Sequence, residues 1–377
     1  MKLFVEPNDV LMFRDGKPFS GGDDHFARGT CPPPPTTMYG AFRSHILSLK
    51  WSEFDSFSES DEDKIPEHIK REIGTPLKQG ALRLGQFLLA RQEGCFVHPI
   101  YPLPRDVLQK KGESEKTVFV LKPIDLKEKN VKTDLPTGLC HMWYPSEFAL
   151  ERGSGYLSQP QMERYLSGKT PEGFIEQKDI FDFEDRTGIR KNRFSRSVET
   201  GGLYSVGYFR FRKDAGFVLE IDGTDDLPEH GIIRLGGDHR PARFSRVSWT
   251  DMAKEQVKKL VVSNRFFKII LISPAIFTNG WLPGGIDIKT MEGQINDIDV
   301  RMVGACIGKP IGIGGFDIVK KTPKIMKRAV PSGSVYLFEM KGNDIEKLFN
   351  NIWLKPLSDE RKNEGFGISL IGGINHV

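Results

Sequence analysis

The chain has 377 residues, of which 38% are hydrophobic and 28% charged, with 39 glycines and 24 prolines; at roughly 150 residues per domain this is enough for two domains with cores of their own. The net charge of +4 and pI near 8.7 permit nucleic-acid binding without demanding it, because free nucleic-acid-binding domains often exceed a pI of about 9. No stretch approaches the ~20 apolar residues of a membrane span, the opening Met1–Pro7 has no apolar signal core, and the isolated Cys31, Cys95, Cys140 and Cys306 fit neither a zinc ribbon nor a disulfide scaffold. The expectation is a cytoplasmic protein with reduced thiols and no membrane partner.

In chain order, residues 2–6 (KLFVE) read as a buried strand stopped by Pro7, and a second apolar pulse runs from Val10 to Phe13. Residues 14–35 hold four glycines and five prolines; that composition forbids regular structure and predicts a long loop, which inside a compact domain is usually functional. A helix is expected from Thr36 to about Leu49, capped by Thr36 or Thr37, with Tyr39, Phe42, Ile46 and Leu49 on one face and Arg43 on another. Residues 53–63 are acidic and serine-rich and read as a solvated loop. Residues 81–98 predict two strands joined by a turn at Gln92-Glu93-Gly94. Residues 105–180, with mixed charge and Pro-Ser and Gly-Ser-Gly punctuation, read as an insertion with some helix around 160–167. Two longer strands are expected within 186–221, then a helix near 250–260.

A second set of elements begins at Phe266. FFKIILISPAIF reads as an apolar strand ending at a Ser-Pro break, Val300–Ile307 and Ser334–Met340 as further strands, and Phe366–Ile371 as a last one. Between them, Asp344–Trp353 is helical by period, with Ile345, Leu348, Phe349 and Ile352 on one face. Strands and helix recurring in both halves predict an α+β protein of two ferredoxin-like (RRM-like) sandwiches.

The residues that carry chemistry are scattered. The eight histidines form no HExxH and no i, i+4 metal pair, and no GxSxG elbow is present. Gly304-Ala-Cys-Ile-Gly308-Lys309-Pro310 imitates a phosphate loop but has three residues between its glycines instead of four, and Pro310 stands where the magnesium-binding Ser or Thr would be. His25, in an open glycine loop, is the best general-base candidate. With no partner acid or base evident, it reads better as a hydrogen-bonding contact. No cofactor or metal is expected.

Two basic segments are more informative. Arg186, Arg190, Lys191, Arg193 and Arg196 fall within eleven residues beside Phe194, a mixture that can hold phosphates and stack on bases or simply be a solvated charged strand. Lys309, Lys320, Lys321, Lys324, Lys327 and Arg328 share a twenty-residue window with one acid, Asp317, and Gly308, Gly312, Gly314 and Gly315 lie at its opening. Lysines supply sequence-blind attraction to phosphates, and glycines let backbone N–H groups approach them.

Five stretches carry a family resemblance: FVEPNDVLMFRDGKPFSGGDDHFARGTCPPPPTTMYGAFRSHIL, RTGIRKNRFSRSVETGGLYSVGYFRF, LISPAIFTNGWLPG, GACIGKPIGIGGFDIVKKTPKIMKRAVPSGSVYLFE and GFGISLIGG. Together they resemble the third-subunit family of the Cmr complex, the type III-B CRISPR RNA-guided effector, within the RAMP superfamily. Residues 50–80 and 105–180 carry little of the likeness. The resemblance implies two ferredoxin-like domains, 1–245 (with the insertion at about 105–180) and 246–377, bearing glycine-rich loops. It implies a non-catalytic role in antiviral defence, holding the 5′ tag of the CRISPR RNA. Its implied partners are the CRISPR RNA, the large palm-domain signalling subunit and a backbone RAMP subunit.

On that resemblance the RNA contacts are Arg14, Ser20, Gly21, His25 and Arg28 in the first loop, Thr36, Thr37 and Met38 at the helix start, where free N–H groups favour a phosphate, and Arg43 one turn on. Arg193 and Arg196 are candidates for a finger between bases, Phe194 for a stacking residue, and Lys309, Lys327 and Arg328 for backbone contacts. Two other readings stay open: a RAMP-type metal-independent endoribonuclease that processes precursor CRISPR RNA through His25, and a scaffold whose basic loops face acidic partners.

Overall fold

A computed structural model describes residues 1–14, 26–27, 29–52, 57, 59–112, 117–124, 132–135, 138–192, 194–224, 227–317 and 322–374. In chain order the first half contributes β1 (Lys2–Pro7), α1 (Pro35–Lys50), α2 (Glu67–Glu72), β2 (Arg83–Glu93), β3 (Phe96–Pro102), β4 (Tyr156–Ser158), α3 (Gln159–Leu166), β5 (Phe181–Lys191), β6 (Val198–Phe211), β7 (Ala215–Asp222), β8 (His230–Leu235) and β9 (Arg240–Arg246). The second half contributes α4 (Glu255–Asn264), β10 (Phe266–Leu271), β11 (Glu292–Ile295), β12 (Ile298–Cys306), β13 (Ile311–Ile313), β14 (Lys327–Ala329), β15 (Val335–Met340), α5 (Ile345–Ile352) and β16 (Ser369–Gly373). Among the described residues no helix is long and apolar enough to cross a membrane.

Two antiparallel sheets organise the chain. The first runs β4-β3-β2-β7-β1-β9-β8 and the second β11-β12-β15-β10-β16. Their central connectivity is the same. β1 lies between β7 and β9 with β2 outside β7, and β10 lies between β15 and β16 with β12 outside β15.

Period-two alternation sorts side chains of the first sheet into two cores. Leu3, Val5, Phe87, Leu89, Phe217 and Leu219 point to one face, where α1 lays Met38, Tyr39, Phe42 and Ile46 over them. Phe4, Leu88, Ala90 and Val218 point to the other and join Phe267, Ile269, Leu337 and Phe338 of the second half in one continuous core. Both faces are therefore dry, which is why these strands read as unbroken apolar runs. The second half is completed by α5. Asp344 caps it by accepting the Lys347 N–H at 2.8 Å, and Leu348, Phe349 and Ile352 are buried.

Several expectations need correction. α1 starts at Pro35, not at a threonine cap: its N-cap is Pro34 with no side-chain bond, and proline suits the first helical position because the N–H it lacks has no partner there. Leu49, in the last turn, is 54% exposed instead of sharing the buried face. Glu59–Lys64, expected as loop, forms a 3₁₀ turn. The two strands expected within 186–221, at Leu203–Phe211 and Phe217–Ile221, are present in β6 and β7; the basic run ahead of them adds the end of a third strand, β5, in a hairpin with β6.

Candidate nucleic-acid interface

A cleft of about 1370 Å³ opens between the halves. One wall is the first-half segment Thr30–Thr37 with Phe87 and Leu89 of β2; the opposite wall is the Ile311–Phe316 segment with Pro331 and Ser332; Arg105 and the Gly153–Tyr156 segment close one side. The glycine- and proline-rich segment before α1 and the glycine-rich segment near 312, remote in sequence, thus face each other.

At the start of α1 the anion site is smaller than expected. Pro35 has no N–H and the Thr37 N–H is taken by the Pro34 carbonyl at 2.9 Å, which leaves the Thr36 N–H and two hydroxyls at the cleft. Met38 cannot contribute its side chain, which is fully buried under the first sheet. Arg43 does not reach the cleft wall either. Its guanidinium donates to the carbonyls of Ile73 at 3.2 Å and Thr75 at 3.0 Å and lies over Phe57, and burial lowers its pKa from the ordinary arginine value. It ties α1 to the loop after α2. Arg43→Ala is expected to cost about 1–3 kcal/mol by stranding those carbonyls while tagged-RNA affinity stays unchanged; urea unfolding and RNA titration of one preparation check both.

Three cations line the cleft. Arg14 is exposed, on backbone bridged to Gly29. Lys178 is held by Glu176 at 2.6 Å. Arg105 has no ion pair or hydrogen bond from its side chain among the described residues, and its Nε is buried without an acceptor. Sequence reasoning missed Arg105. It follows Pro-Leu-Pro in the stretch read as an insertion, and nothing local distinguishes it from any surface arginine.

The second basic segment folds as a small hairpin in which Gly312 pairs with Arg328 and Ile313 with Lys327. Lys309 and Arg328 are exposed, whereas Lys327 is bridged to Glu360 at 3.0 Å. Its glycines have packing reasons. A Cβ on Gly308 would lie 2.5 Å from Pro331 Cγ, and one on Gly312 3.0 Å from Met326 Sδ. Gly304–Cys306 complete β12 instead of forming a phosphate loop ahead of a helix.

The first basic segment is the β5–β6 hairpin. Glu184 accepts from Arg186 at 2.7 Å and Arg210 at 2.6 Å, and Arg210, then Arg186, hold its carboxyl down to about 2. A carboxyl lowered on folding supports the fold fully above its unfolded value; that support shrinks as pH falls below it and is gone once pH has passed through the folded value, where the folded carboxyl itself takes the proton. This clamp is therefore expected to persist at pH 4 and open toward pH 2, as an NMR titration of the Glu184 carboxyl would show. At the hairpin tip Asn192 Oδ1 accepts the N–H groups of Phe194 and Ser195, Arg196 adopts φ 54°, and the Phe194 ring is 98% exposed. Ser20, Gly21, His25, Arg28 and Arg193 lie outside the described residues.

The fold and the cleft define a class: two α+β units of like connectivity that share a core and face each other across a basic groove. Among solved structures the chain is similar to a chain of the type III-B Cmr-beta complex bound to cognate target RNA (TM-score 0.48, 19% identity, 97% of this chain and 95% of that one). It is also similar to a chain of the Csm3–Csm4 subcomplex of the type III-A CRISPR–Cas interference complex (TM-score 0.38, 12% identity, 100% of both chains). In sequence it is 26% identical over 159 residues to the CRISPR system CMR subunit Cmr3 of Saccharolobus solfataricus, covering 41% of this chain and 44% of that protein, so the match spans less than half of that relative's length. Residues 3–374 match the profile of the CRISPR-associated protein (Cas_Cmr3) family, and the chain belongs to that family.

Proposed function

We propose that this chain is a non-catalytic, cytoplasmic subunit of a type III-B CRISPR RNA-guided effector complex, and that it holds the 5′ tag of the CRISPR RNA in the cleft between its halves. On this reading the two sheets are variants of the ferredoxin-like fold divided near residues 245 and 246, and the chain docks the large palm-domain signalling subunit to the backbone RAMP filament. One observation carries the reading: Arg14, Thr36 and Thr37 from the first family-like stretch line the same cleft as the Ile311–Phe316 segment from the fourth. A single strand lying there would meet hydroxyls, a helix start and Arg105, whose guanidinium has no side-chain partner among the described residues, a surface suited to phosphates.

The test is a comparison of tagged with untagged RNA across a salt series. A tag-binding cleft prefers tagged RNA with a steep slope; a scaffold shows neither. Cutting of precursor RNA that His25→Ala abolishes would overturn the non-catalytic assignment. Phe194→Ala is expected to leave thermal stability unchanged, since its ring touches solvent almost everywhere. If the tip stacks on a base as proposed, the same change weakens tagged-RNA binding by about 1–3 kcal/mol, measurable by fluorescence anisotropy.

A further inference from the structure

Beside the cleft lies a second cavity of about 400 Å³, and Arg105 is a wall of both. Arg152, at the end of the strand Leu150–Arg152, also lines this second cavity. Among the described residues neither guanidinium forms an ion pair or donates a hydrogen bond, and the Arg105 Nε is buried with no acceptor. The two also oppose each other: burial, and then the charge of Arg152, lower the Arg105 pKa. Two repelling cations, one of them partly buried with an unsatisfied donor, are unfavourable until an anion joins them.

The seat for that anion is built by both halves. The Arg105 backbone N–H is tied to the Gly333 carbonyl at 2.8 Å. A Cβ on Gly308 would stand 3.3 Å from Nε and 3.5 Å from Cζ, so glycine there leaves the guanidinium its space. Away from the arginines the described lining is mostly apolar, with four leucines, and Trp281 is the one ring system among the described residues apart from His141, whose Nε2 is engaged with Thr133 at 2.9 Å.

We infer that Arg105 and Arg152 grip one phosphate of the RNA strand and that the base beside it enters the second cavity against Trp281. This rests on the RNA reading of the main cleft and adds to it a turn of the strand at Arg105 and a subsite for a single nucleotide. Guanidinium forks match phosphate oxygens two at a time. An apolar cavity with one indole accepts a base by its π-face, with little regard to which base it is.

The experiment uses the assembled complex and tagged RNAs carrying 2-aminopurine at each tag position in turn, with wild-type, Trp281→Ala and Arg152→Ala chains. The expected result is one position, and no other, at which fluorescence is quenched and Trp281→Ala relieves the quenching. Arg152→Ala, an exposed side chain whose loss strands no partner, is expected to weaken tagged-RNA binding about 10-fold. Bound RNA with no Trp281-sensitive position, or with affinity unchanged by Arg152→Ala, overturns the subsite and leaves the cleft reading standing. RNA affinity that is also unchanged by Arg14→Ala and Arg105→Met overturns both.

Discussion

Replacing Lys268 by alanine is expected to lower the unfolding free energy by about 3–5 kcal/mol, the effect of leaving a buried charge without its partner. Lys268 sits mid-strand in β10 with 6% of its surface exposed, and Asp106 is fully buried. The ammonium is 2.8 Å from Asp106 Oδ2. The Tyr165 hydroxyl donates to both carboxylate oxygens, at 2.7 and 2.8 Å, and its ring lies 4.6 Å from the ammonium. Burial, and then the Asp106 charge, push the Tyr165 phenol well up, so it stays a donor throughout the working pH range.

Three segments remote in sequence meet at this point inside the core that both halves share. Without the amine, Asp106 keeps one phenol and no counter-charge. The measurement is the urea midpoint followed by far-UV circular dichroism. The triple change Lys268→Met, Asp106→Leu and Tyr165→Phe is expected to recover most of the loss, because apolar side chains of similar volume remove both desolvation penalties and leave no buried hydroxyl without its partner. A Lys268→Ala chain as stable as wild type would show that the pair is not dry.

The second large effect is functional. Arg105→Met keeps an unbranched apolar stem and removes the guanidinium, with its charge and its donors. Tagged-RNA affinity is expected to fall about 10–100-fold, the range for a lost hydrogen bond to a charged group. The slope of log affinity against log salt should shrink by about 0.7, one phosphate contact on a single strand. Because Arg105 Nε has no acceptor among the described residues, none of them is stranded, and the thermal midpoint is expected to stay within a degree or two of wild type. This pairing of lost affinity with retained stability is the reverse of that expected for Arg43→Ala. The two arginines separate a ligand-facing cation from one engaged by the fold.

Much of the architecture was legible in the residues because its signals are local. FFKIIL and SVYLFEM are strands whose two faces are both dry, so apolar runs mark them. The helix at Ile345–Ile352 follows from period 3.6 behind an Asp cap, and the Gly94 turn, at φ 60°, from glycine's freedom at positive φ. The family, too, could be read from five stretches of sequence. What each charged side chain does could not be. Arg43 and Arg105 look alike in the chain, yet among the described residues the Arg43 side chain meets two carbonyls and that of Arg105 meets none, since that depends on which distant loop packs against each. Lys268 is a single lysine within a run read as an apolar strand, and its partners come from positions 106 and 165. Gly308 and Gly312 read as phosphate-cradling glycines, but Pro331 and Met326 occupy the space their side chains would need. Periodicity and turn chemistry act between residues a few positions apart, so the sequence alone determined the elements and the family. Burial, charge partners and the cleft arise between segments a hundred or more residues apart, so only the tertiary structure decided them.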